Sequence, residues 1–134
     1  ERERRDCELQ GHREEAAMTA RRVVERYLAG DDGPLADETL RQRDEAFRSA
    51  FPDAHIDAEL LLAEGNHVAA HLTASGTHLG TFQGCPPTGR EWAATCTAIY
   101  RVEAGRIAKA WINWDWLAVM EQLGSVERVQ TVSA

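Results

Sequence analysis

The chain has 134 residues, 43% of them hydrophobic, with 15 Lys+Arg against 22 Asp+Glu for a net charge of −7. That length suits one compact domain with a real core. The acidic balance argues against phosphate backbones, so no nucleic-acid partner is expected. No apolar run approaches the roughly 20 residues of a membrane span, and no charged-then-apolar leader opens the chain, so neither membrane insertion nor secretion is expected.

The first segment, Glu1 to Glu15, is dense in charge and reads as a solvated lead-in. Ala17, Val24, Tyr27 and Leu28 then share a helical face. Gly30-Asp31-Asp32-Gly33-Pro34 stops that helix. A second helix is expected from about Leu35 to Ala50, ended by Pro52. From Ala54 the period changes to two: Ile56, Ala58, Leu60 and Leu62 alternate with Asp57, Glu59 and Leu61. The Gly65-Asn66 turn leads to a second strand through Val68, Ala70, Leu72 and Ala74. A Gly/Pro-rich connection covers Gly76 to Gly89. A third strand runs from Trp92 to Val102, a tight hairpin turns at Ala104-Gly105, and a fourth strand runs from Ile107 to Asn113. A short helix, Leu117 to Leu123, ends at Gly124, and Ser125 to Ala134 is a polar tail. Helices first and hairpin-linked strands afterwards predict a single α+β domain over residues 1–134, with helices on one side of an antiparallel sheet.

Cys7, Cys85 and Cys96 are odd in number and scattered, which gives no disulfide framework and fits a reducing cytoplasm. CxxC, HExxH and glycine-rich phosphate loops are absent. His67 and His71 share one strand face without a third converging ligand, so no metal and no cofactor are expected.

Alternation across a two-residue hairpin predicts that Tyr100, Trp111, Asn113 and Asp115 share one face, with Trp92 beside them. Such an aromatic wall with one amide and one carboxylate suits a flat polyaromatic or polyketone ligand. Thr95, Thr97, Ile99, Ala108, Ala110 and Ile112 then form the opposite face, whose apolar area predicts a homodimer or higher oligomer. A bulge in the hairpin would reverse these assignments. Asp115 lies among Trp111, Trp114 and Trp116. Large rings strip water from a carboxylate and favour acid/base use; Asp is also a favoured N-cap, and Asp115 precedes the last helix. His78, at a strand end, is placed either to hydrogen-bond a substrate oxygen or to hold the following loop.

Two stretches carry a resemblance. One is Gly76-Thr77-His78-Leu79-Gly80-Thr81-Phe82-Gln83-Gly84-Cys85-Pro86-Pro87-Thr88-Gly89-Arg90. The other is Tyr100-Arg101-Val102-Glu103-Ala104-Gly105-Arg106-Ile107, followed by Trp111-Ile112-Asn113-Trp114-Asp115 and Gln122-Leu123-Gly124. Together they resemble the SnoaL-like polyketide cyclases of the nuclear-transport-factor-2-like superfamily. The resemblance implies a cone of curved antiparallel sheet closed by N-terminal helices, and a cofactor-independent intramolecular aldol condensation. It places the general acid/base on Asp115; His78 and Asn113 are then expected to stabilise an enolate oxygen, and the face that alternation gives to Trp92, Tyr100 and Trp111 is expected to line the pocket. A stretch that family members usually carry between the first two helices is missing here. Two other readings stay open on the same fold: an isomerase or epoxide hydrolase, and a binding protein with an inert pocket.

Overall fold

The computed structural model describes residues 2–31 and 33–124, the side chains of Asp6 and Cys7 excepted. Its order is α1 (Arg2–Leu28), α2 (Glu38–Ala50), β1 (His55–Glu64), β2 (His67–Thr77), β3 (Glu91–Glu103), β4 (Arg106–Trp114) and α3 (Trp116–Leu123). The four strands form one antiparallel sheet in the order β1-β2-β3-β4. The sheet is curved and unclosed, in keeping with the cone that the resemblance implies.

The expected lead-in is helical: α1 begins at Arg2. Charged residues other than Asp are good helix formers, and their solvation does not oppose a helix. Burial starts only at Ala20, Val23 and Val24, so the preceding turns contribute little to the core. The helix ends on Gly30 at φ 110°, with Gly30 N–H on the Tyr27 carbonyl and Asp31 N–H on the Arg26 carbonyl. That pair of bonds satisfies carbonyls the last turn would otherwise leave open. Leu35, expected at the start of the second helix, instead forms a parallel bridge to Ile107. Ala36 N–H donates to the Ile107 carbonyl at 3.0 Å and Ile107 N–H to the Pro34 carbonyl at 2.7 Å, which ties the linker to β4. α2 starts at Glu38, three residues later than expected, capped by the Asp37 side chain, which accepts from Thr39 N–H.

Two irregularities reset the faces of the sheet. Glu59 is skipped between β1 and β2, so Leu61 and Ala63 point to the core while Leu60 and Leu62 point outward. This corrects the expected alternation, which placed Leu60 and Leu62 with Ile56. Ala108 is skipped between β3 and β4, so Ile99 pairs with Trp111, Ala98 with Ile112, Thr97 with Asn113 and Cys96 with Trp114. Glu103 still faces Arg106 across the turn. Beyond the bulge every β4 side chain is inverted relative to expectation: Ala110, Ile112 and Trp114 pack inward.

The core has two parts. Under α1 lie Val68, Ala70, Leu72, Cys96, Ala98, Tyr100 and Ile107. Under α2 and α3 lies an aromatic cluster built on Phe51, Phe82 and Trp92. α3 closes the end that β4 leaves open. The Gln122 side chain donates to the Ala93 carbonyl and accepts from Ala93 N–H, both at 2.8 Å, and so stands in for the next pair of ladder bonds on β3. Gly124, at φ 80°, caps α3 beside the Arg90 guanidinium, where a cation complements the helix C-terminus.

Gly80 sits against the end of α2. Its N–H donates to the Ala50 carbonyl at 3.0 Å, and a Cβ there would collide with the Ser49 carbonyl. Backbone cannot yield as a flexible side chain does. Gly80→Ala is therefore expected to cost about 1–3 kcal/mol of stability, read as a lower urea midpoint with an unchanged slope. An unchanged midpoint would contradict this packing.

Candidate functional site

The concave face of the sheet is covered by α1 and α2. Tyr100 and Trp92 both point into it and are 3% and 2% exposed. Trp111 and Asn113 do not join them. The Ala108 bulge puts both on the convex face, where Trp111 is 41% exposed and Asn113 is exposed. Trp111 there lies under the Lys109 ammonium, 4.6 Å from the ring centre, and beside the His67 ring. The expected single face of Tyr100, Trp111, Asn113 and Asp115 is thereby corrected.

Trp114 takes the inward place foreseen for Trp111. It stacks on Phe47 with ring centres 5.5 Å apart, and on Trp116 at 5.3 Å. Phe51 touches His78, Phe82 and Trp92 in the same cluster. Edge-on and offset contacts of this kind add to the area they bury. The interior at this end is filled with rings.

Asp115 lies between Trp114 and Trp116 in sequence, but its side chain is exposed. One carboxylate oxygen, Oδ1, accepts from Ala118 N–H at 3.2 Å, and the backbone carbonyl accepts from Val119 N–H. It is the N-cap of α3. The cap reading is thus realised, while Oδ2 is left over for other use.

His78 is fully buried. Thr88 N–H donates to its Nδ1 at 3.2 Å, and the Thr88 hydroxyl lies 3.0 Å from the same nitrogen. Because Nδ1 accepts, the ring proton of a neutral imidazole resides on Nε2. Nε2 is buried without a partner among the described residues, as is Trp92 Nε1. His78 backbone groups also bond Arg90 and Gly89. The residue therefore holds the Leu79–Arg90 connection from both its backbone and its ring.

A polar cluster that the sequence reading missed lies at the helical side of the cone. The Tyr27 hydroxyl donates to Asp44 Oδ1 at 3.0 Å, and Arg48 Nε pairs with Asp44 Oδ2 at 3.0 Å. The Tyr27 ring meets the Tyr100 ring edge-on, 5.9 Å between centres. Burial, then the nearby Asp44 carboxylate, pushes the Tyr27 phenol well above its ordinary value; burial does the same for Tyr100. Both therefore remain neutral O–H groups throughout the working range of proteins. Burial also pushes the Cys96 thiol up to about 11. The available signal was spacing: Asp44 lies four residues after Leu40 and three before Phe47, on the apolar side of α2.

An open cleft of ≈ 480 Å³ lies at the far end of β2 and β3, lined by Asp53, Ser75, Thr77, Glu91, Trp92 and Gln122. Its Asp53 is already engaged by the Thr77 N–H and hydroxyl at 2.8 and 2.7 Å, which hold that carboxyl below the usual range. Asp115 is not part of it. Among the described residues no group of three or more His, Cys, Asp and Glu converges, and no helix is long and apolar enough to cross a membrane. Among the described residues Cys85 and Cys96 form no disulfide; the side chain of Cys7 lies outside the described residues.

Comparison with known proteins bears on this geometry. A family model described as SnoaL-like polyketide cyclase matches residues 10–123. No curated protein matches. Among solved structures, TsrD from Streptomyces laurentii is 22% identical, covering 81% of this chain and 97% of its own, with a TM-score of 0.70. IdmH from Streptomyces antibioticus is 33% identical over 65% of this chain and 63% of its own, with a TM-score of 0.56. A SnoaL-like polyketide cyclase from Agrobacterium tumefaciens str. C58 is 27% identical over 64% of this chain and 68% of its own, at 0.55. At its identity TsrD speaks for the fold alone.

The Thr88–His78 bond makes a structural demand that a phenyl ring cannot meet. His78→Phe keeps the aromatic volume but leaves Thr88 N–H without an acceptor. The expected cost is about 1–3 kcal/mol, with faster proteolysis inside Leu79–Arg90. Wild-type stability in this variant would remove the anchoring role.

Proposed function

Because this chain belongs to the SnoaL-like polyketide cyclase family, we propose that it catalyses a cofactor-independent intramolecular aldol condensation on a polyketide or similar small hydrophobic molecule. A methylene between two carbonyls is acidic enough for a single carboxylate to act. Asp115 takes its proton, the electron pair moves into the enolate, and the enolate carbon attacks a second carbonyl to form the ring bond. Asp115 then returns the proton to the new alkoxide. His78 Nε2–H is a neutral donor of the kind that stabilises an enolate oxygen, and Trp92 and Tyr100 supply apolar wall. Asn113 and Trp111 have no part in this, since they lie on the other face. The observation that supports the reading is the family match across the domain, with Asp115 at the sheet-to-helix junction and only one of its oxygens used by the cap. The scattered cysteines support a cytoplasmic setting.

One observation favours a second reading, a binding protein without turnover. Asp115 is exposed and caps α3, and the adjoining interior is packed with rings. Substitution separates the two. Asn caps a helix about as well as Asp, whereas Ala costs about 1 kcal/mol. Asp115→Asn is expected to keep the melting temperature and lose about 10²–10⁴-fold in turnover of tricyclic or tetracyclic polyketide methyl esters. Asp115→Ala is expected to lose both. Full turnover in Asp115→Asn would remove the carboxylate from the chemistry.

We propose further that the convex face pairs two copies. Leu62, Ala69, Ile99 and Trp111 are successive cross-strand partners and form one apolar row over all four strands. Of these Leu62, Ile99 and Trp111 are exposed, with the Lys109 ammonium and the His67 ring against Trp111. The expected row is corrected to this one, because Ala110 and Ile112 face inward. Sedimentation at micromolar concentration is expected to give a dimer for the wild type and a monomer for Trp111→Glu. A monomeric wild type would defeat the assignment.

A further inference from the structure

We infer that Gln122 is a positioning residue for Asp115: its carboxamide, bonded into the edge of β3, sets the lie of α3 and through it the direction of the free Asp115 oxygen. The inference rests on the reading above for what Asp115 does, and on geometry alone for how Asp115 is held.

The last strand leaves the sheet before its partner ends. β4 stops at Trp114, opposite Cys96, and the Asp115 N–H still reaches the Thr95 carbonyl at 3.3 Å. Backbone groups that face a given neighbour recur every second residue, so the next pair on that edge of β3 belongs to Ala93. No strand residue meets it, because the chain has turned into α3. Gln122, at the far end of that helix, meets it instead. The amide nitrogen donates to the Ala93 carbonyl and the amide oxygen accepts from the Ala93 N–H, both at 2.8 Å. A carboxamide offers the same donor and acceptor as a peptide group, so neither Ala93 group is left open.

These two bonds fix more than an edge. α3 has eight residues and spans about 12 Å, too short to persist on its own in water. Its buried residues are Val119 and Leu123. Asp115 joins its start to β4 by continuous chain and one long backbone bond, and Gln122 ties its last turn to β3 by two short ones. A helix held at both ends has a fixed axis. Released at Gln122, it is free to swing about Asp115. The Asp115 carboxylate is planar and bonded through Oδ1 to the Ala118 N–H at 3.2 Å, so Oδ2 turns with the helix. A general base acts only within hydrogen-bond reach of its proton, and a displacement of about 1 Å costs about 10²-fold in rate.

Two variants test this on the full chain. Gln122→Met keeps the length of the side chain and removes both bonds. Gln122→Glu keeps the acceptor for the Ala93 N–H and, ionised at neutral pH, loses the donor. Amide exchange followed by NMR reads the holding of Asp115 with no substrate present. The Ala118 N–H, whose acceptor is Asp115, is expected to exchange about tenfold faster in Gln122→Met, with Gln122→Glu between it and wild type. Gly80→Ala, weakened at the end of α2, is expected to leave Ala118 as in wild type, which separates a loosened α3 from a general loss of stability. On the polyketide methyl esters, Gln122→Met is expected to lose about 10–10²-fold in kcat at an unchanged KM, the mark of a contact made only in the transition state. If Gln122→Met does not fold, Gln122→Glu carries the same comparisons. Wild-type exchange at Ala118 in the folded variants would overturn the proposal. So would wild-type kcat in a variant whose Ala118 exchanges fast. A wild type that binds the esters without turnover defeats the aldol reading alone, and Ala118 exchange still decides whether Gln122 holds Asp115.

Discussion

Between Ile107 and Lys109 the ladder joining β3 to β4 skips one residue, Ala108. Side chains alternate with a period of two, so one skipped residue exchanges the faces of everything beyond it. Trp114 thereby enters the concave side and stacks on Phe47, while Trp111 and Asn113 leave it. Without the skip, the aromatic cluster under α2 would lose its central ring, and the convex row would lose its large aromatic. The linker before α2 reinforces the irregularity, because Pro34 and Ala36 bond Ile107, the residue just before it. A segment far away in sequence thus shares in setting the register of the last strand.

The period-two and period-3.6 patterns located all seven elements but not the assignment of faces. Val68, Ala70, Leu72 and Ala74 were legible as the buried side of β2, since that strand runs without a skip. Leu60, Leu62 and Trp111 were not. A bulge leaves no mark in composition; it is chosen by tertiary packing, here by Leu61 reaching the α1 core and Ile107 reaching Leu35. The helical start at Arg2 was masked for another reason. Charge density predicts solvation, and a solvated segment can still be helical. At the candidate site, Trp92 and Tyr100 were placed by alternation within one unbroken strand. The Tyr27–Asp44 contact depends on how α1 and α2 cross, which no local pattern records.

Much of the motif that carries the family resemblance has architectural work. Gly80 lets the connection after β2 approach the end of α2, His78 and Thr88 tie that connection down, and Arg90 lies beside the C-cap of α3. Gln122 replaces missing ladder bonds on Ala93, and Gly124 takes the left-handed cap. These residues share one task, which is to fasten a short helix and a Pro-rich loop over the end of the cone. A close sequence match in them therefore certifies the closure of the cone more directly than it certifies a reaction.

Asp115 sits where those two demands meet. As the α3 cap it holds the helix that carries Gln122, and through Gln122 it bears on the end of β3 that places Trp92. A carboxylate used in this way is oriented through Oδ1, with Oδ2 and its lone pairs directed elsewhere. Orientation by a backbone N–H is what a general base needs as well, because a proton acceptor works only when it is held within hydrogen-bond reach of the proton it takes. Capping and catalysis are therefore compatible on one side chain. What distinguishes them is the charge: an amide can replace the carboxylate as a cap, and only the carboxylate can take up a proton.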